Sequence, residues 1–144
     1  MTKNQEDQTL PNHLPDLLQG RFFDTIAQIK LINHWRDTRD MSYDEYNELM
    51  TANAKEFIEV MYENKLMVDF NWVDWTEGEP LIYKGEFEQF DNLTLLKMLT
   101  FIVKYDNRML QFLVTKFEDN TILEIITILE RRINTFLKNT YITN

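Results

Sequence analysis

Cysteine is absent from the 144 residues, serine occurs once, and glycine and proline occur three times each. Without cysteine there is neither a disulfide framework nor a thiolate zinc site, and nothing points to an oxidising compartment. The lone Ser42 is accounted for by a helix cap, so a nucleophile–histidine–carboxylate triad has no nucleophile. His13 and His34 stand apart with no second histidine one helical turn away, which removes the H-E-x-x-H geometry. Gly20, Gly78 and Gly85 are each isolated, so no glycine-rich phosphate loop can be assembled. The apolar runs fall well short of the ~20 residues of a spanning helix, and the start of the chain has no apolar leader core. The expectation is a cytoplasmic protein with no catalytic residues, metal ligands or cofactor.

Basic residues are scarce in one half only. Residues 1–80 hold 7 Lys and Arg against 16 Asp and Glu, whereas residues 81–144 hold 8 of each, so the N-terminal part carries the whole net charge of −9. Such a field repels nucleic acid and anionic membranes and favours a partner with a basic surface, although it also serves solubility.

Scarce breakers and abundant aromatics predict a mainly α fold. The expected architecture is a bundle of about five helices around a central apolar helix at residues 93–105. Residues 1–13 read as a flexible terminus, 14–139 as one helical domain and 140–144 as a tail. A first helix begins near Leu14-Pro15-Asp16 and is kinked at Gly20. Phe22, Ile26, Ile29 and Trp35 recur near helical spacing between Arg21 and Asp37. Ser42 and Glu45 form an S-x-x-E capping box that opens a helix to about Glu63. Its Tyr43, Tyr46, Met50, Ala54, Phe57 and Met61 share one face, and Glu45, Glu48, Glu56, Glu59 and Glu63 share the opposite one.

Asn64-Lys65 suits a left-handed cap. The β-branched and aromatic residues of 66–72, with the alternation in 81–88, predict a short two-stranded ribbon. Asp91 or Asn92 caps the apolar helix, Asp106-Asn107 breaks it, and Arg108 to Phe117 forms a shorter one. Thr121 and Glu124 repeat the capping-box pattern ahead of a last helix to about Lys138.

Three groups of residues stand out. The glutamate row Glu45, Glu48, Glu56, Glu59 and Glu63 offers repeated carboxylates to a basic surface, although a solvated helix face has the same pattern. In Asp69-Phe70-Asn71-Trp72-Val73-Asp74-Trp75, two acids interleave with two tryptophans, a composition suited to a cationic group, a hard cation or an aromatic contact. The plainer reading is that the rings anchor the segment on the helices while the acids face water. Lys104, Asp106 and Arg108 gather at the end of the apolar helix, as an anion site or as capping ion pairs. Asp69, Trp72, Asp74 and Trp75 with Lys104, Asp106 and Arg108 thus make one candidate pocket.

The D-F-N-W-V-D-W run at 69–75, the L-T-F-I-V-K-Y-D run at 99–106, Phe117-Glu118-Asp119 and the helix at 125–132 resemble a family of small bacterial and phage proteins known only as a domain of unknown function. That family has a similar D-F-x-W-x-x-W segment and an L-T-x-x-x-R-x-D-R-F segment followed by glycine. Lys104 stands where the family tends to have arginine, Asn107-Arg108 replaces its Arg-Phe pair, and Gln111 stands near its glycine. The resemblance spans about residues 45–135 and implies a fold and a bacterial or phage source.

Size, acidity and missing catalytic groups together predict a non-enzymatic protein-binding domain. It would act as a phage or mobile-element inhibitor, of anti-defence or immunity type, that blocks a basic surface. Two other readings stay open: a small enzyme or ligand-binding domain using the carboxylate and tryptophan pocket, and a structural helical homo-oligomer.

Overall fold

The computed structural model describes residues 14–15, 20–105 and 110–143, the last four by their backbone alone. Helix α1, Phe22–Thr38, forms where apolar residues recur at helical spacing, and it buries Phe22, Ile26, Ile29 and Ile32. It ends at Arg39, whose φ of 59° reverses the chain while Asp40 N donates to Trp35 O at 2.9 Å. Helix α2, Tyr43–Glu63, starts on the expected capping box: Glu45 N donates to Ser42 Oγ at 3.2 Å and Ser42 N to Glu45 Oε1 at 3.3 Å. Tyr46, Met50, Ala54, Phe57 and Met61 are buried on the expected face, whereas Tyr43 is 77% exposed. The two helices pack along each other.

The end of α2 also follows its local sequence. Lys65 adopts a φ of 58°, Leu66 N donates to Met61 O at 2.9 Å, and the Leu66 side chain is buried. This pairing closes the last turn and seals it with an apolar contact. What comes next differs from the expected ribbon.

No strand forms among the described residues. Residues 66–71 have no regular secondary structure, and Val68 N donates to the buried Thr100 Oγ1 at 2.9 Å instead of to a strand partner. The second expected strand is helix α3, Gly78–Lys84, followed by a 3-10 turn at Phe87–Gln89. Pro80 stands in the first turn of α3, where its missing N–H costs no helical hydrogen bond. Gly78 is held under Trp75: a Cβ there would stand 2.4 Å from Trp75 Cε3.

Helix α4, Asn92–Tyr105, is capped by Asp91, whose Oδ1 accepts from Thr94 N at 2.7 Å. It buries Leu95, Leu96, Met98, Leu99, Phe101, Ile102 and Val103 and packs against α3, α5 and α6. Helix α5, Gln111–Glu118, follows the undescribed residues 106–109. Helix α6, Thr121–Thr143, continues five residues past the expected end at Lys138 and through most of the expected tail, there being no glycine or proline in it. The expected Thr121–Glu124 box is not formed. Asp119 Oδ1 accepts from Thr121 N at 3.0 Å, and Glu124 N bonds Asn120 O at 2.9 Å. Asp119 sits two residues upstream of the pattern and satisfies the donor first.

Candidate functional site

The glutamate row lies on the solvent side of α2, and an arginine from the start of α1 reaches across it. Arg21 Nη1 pairs with Glu56 Oε1, Nη2 with Glu63 Oε1 at 2.6 Å, and Nε with Glu63 Oε2 at 3.2 Å; Glu59 stands 4.0 Å away. These carboxylates, Glu63 first, hold the guanidinium pKa above its usual value. Glu45 is engaged with Ser42 in the cap, and Glu48, exposed, makes no ion pair among the described residues. The row is therefore divided into a paired C-terminal stretch and an open N-terminal one.

The tryptophan segment is bound to α4 by its rings. Trp72 and Trp75 meet Phe101 edge-on at centroid distances of 5.9 and 6.1 Å, and Phe70 meets Trp75 at 5.5 Å. Phe101 also touches Tyr105 at 5.4 Å and Phe112 at 6.4 Å, so one buried ring gathers the segment, α4 and α5. Asp69 and Asp74 are exposed, and Asp74 Oδ2 accepts from Asn71 Nδ2 at 2.6 Å. Trp75 Nε1 donates to Glu77 Oε1 at 3.2 Å. Edge-on stacking and burial account for the rings, and water accounts for the acids.

Lys104 is half-buried near the end of α4, three residues after Phe101, which places it on the helix that carries the tryptophan segment. Asp106 and Arg108 lie outside the described residues, as does His13. His34 is exposed on α1. Among the described residues no three histidine or acidic side chains gather as a metal site, and no helix is long and apolar enough to cross a membrane.

Two polar junctions escaped sequence reasoning. Where α1, α2 and α5 meet, the Tyr46 hydroxyl donates to Glu118 Oε2 at 2.7 Å and accepts from Arg36 Nη1 at 3.3 Å. Burial, then the Glu118 carboxylate, pushes the Tyr46 pKa well up. The buried Asn33 donates to Phe117 O at 3.1 Å, while its Oδ1 has no partner among the described residues. The second junction is Lys116, whose side chain is 3% exposed. Its Nζ bonds Asp119 Oδ2 at 3.0 Å and lies 4.1 Å from the centroid of the Tyr83 ring. The only local signal was the three-residue spacing of Lys116 and Asp119. Tyr83 comes from the segment whose alternation suits a strand, and the helical spacing of Tyr46 only places it on one face with Met50 and Phe57.

Residues 21–135 match a family model, and the chain belongs to that family, described as a family of unknown function (DUF6508). The match contains all four stretches that carry the resemblance and begins further upstream than they do. No curated protein and no solved structure matches the chain.

Proposed function

Starting from membership in a family without an assigned activity, we propose that this chain is a non-catalytic, cytoplasmic protein-binding domain that presents the α2 glutamate row to a basic surface. In this reading it is a phage or mobile-element inhibitor of anti-defence or immunity type. The carrying observation is Arg21: its guanidinium already lies among Glu56, Glu59 and Glu63. The row thus accepts a basic side chain within the chain itself. It stands on a 21-residue helix closed at both ends, so the carboxylates are spaced before any partner arrives. Glu48 extends the row beyond the reach of Arg21.

The test is affinity capture from host lysate with the tagged full chain, followed by salt elution. A stoichiometric basic partner should be recovered, released by rising salt, and lost when Glu48→Lys and Glu59→Lys are combined. Recovery of no partner, or of one indifferent to both salt and the two charge reversals, overturns the proposal.

A further inference from the structure

The tryptophan segment and α4 lie side by side and carry opposite charge. Residues 69–77 contain Asp69, Asp74 and Glu77 and no lysine or arginine, while α4 contains Lys97 and Lys104 and no acid. The two are in contact through Val68 with Thr100 and through Trp72 and Trp75 with Phe101. Even so, no ion pair joins them among the described residues. Asp74 is engaged by Asn71, Glu77 by Trp75, and Lys97 lies over the Phe70 ring at 5.3 Å. Asp69 and Lys104 make no such contact within the described chain.

Large apolar side chains on the same two elements are exposed. Val73 is 68% exposed on the 3-10 turn Trp72–Asp74, Leu93 is 52% exposed and Tyr105 47% exposed on α4, and both tryptophans are half-buried. Two packed elements that carry exposed aliphatic and aromatic groups together with an acid and a lysine unpaired among the described residues have the composition of a contact, not of a solvated face.

We propose that this face joins two copies of the chain about a two-fold axis. A two-fold contact requires a patch complementary to itself. An acidic strip beside a basic one meets that requirement, because a half-turn lays the acids of one copy along the lysines of the other. Lys97 and Lys104 are seven residues apart, about 10 Å along the helix axis, and so give the strip length as well as sign. Val73, on the turn the tryptophans anchor, fills the apolar centre. A wholly acidic or wholly basic partner would satisfy one strip and oppose the other, whereas a second copy satisfies both.

Sedimentation equilibrium and light scattering of the purified full chain test this without any other protein, so the outcome is independent of the proposed basic partner. The native chain should show a concentration-dependent dimer, and Val73→Asp should weaken it by about tenfold or more. Two charge variants decide the geometry: Asp69→Lys with Asp74→Lys, and Lys97→Glu with Lys104→Glu. Each alone should be monomeric, and mixed they should associate as a heterodimer, with circular dichroism showing that both fold. A native chain that stays monomeric at every concentration, a dimer indifferent to Val73→Asp, or a mixture of folded variants that remains monomeric overturns the inference.

Discussion

The glutamate row of α2 and the ring cluster over Phe101 both join parts of the chain far apart in sequence, and they do so by different physics. On the row, Arg21 reaches Glu56 and Glu63 in water, where screening and side-chain entropy take back most of the attraction. Over Phe101 the tryptophan rings are partly withdrawn from water, and a segment with only one 3-10 turn is fixed by their burial and edge-on contacts. The two most conspicuous compositions in the chain therefore divide the labour. The tryptophans are committed to the fold, and the acids stay at the surface.

The comparison is broken most directly at the ring. Phe101→Ala should cost about 3–5 kcal/mol in urea denaturation, since it removes the group that Trp72, Trp75, Tyr105 and Phe112 share. Tryptophan emission should shift to the red as the segment loosens. A loss below about 1 kcal/mol would mean that the segment is held elsewhere.

The Tyr46 junction lies between the two extremes, being polar but largely buried. Tyr46→Phe should cost about 1–2 kcal/mol, because Glu118 loses a hydroxyl donor. The fold raises the Tyr46 pKa, so the stabilisation is complete below the ordinary tyrosine value of about 10. Above that value the unfolded chain releases its proton first, and stability falls as pH rises. Denaturation midpoints followed into alkali should show a decline that is shallower in Tyr46→Phe. Equal slopes in the two proteins would remove the junction from the account.

Arg21→Ala should have the smallest effect. Its unfolding midpoint at physiological salt should match the native chain, while capture of a basic partner strengthens as Glu56 and Glu63 are released. A marked loss of stability would show that the row is a structural clasp and would reverse its reading as an open surface.

Local signals were readable where neighbours in sequence complete the interaction. Ser42 with Glu45 closes the start of α2, and the left-handed cap expected at Asn64-Lys65 forms at Lys65. The mainly helical class followed from the scarcity of breakers. The ribbon failed because the alternation in 81–88 is a short local pattern, and the contacts that select a helix there are tertiary. Tyr83 lies under the amine of Lys116, far along the chain. The division of the glutamate row was invisible for the same reason, since Arg21 and Glu63 are 42 residues apart. The Thr121–Glu124 pattern misled because Asp119, two residues earlier, took the donor it required.

Lys116 also bears on motion. Its amine is shut between Asp119 and the Tyr83 ring, so an acylating reagent in water reaches it only when α3 lifts away or the chain opens. The rate at which this one lysine is modified, set beside that of the exposed lysines, becomes a clock for how often the molecule breathes.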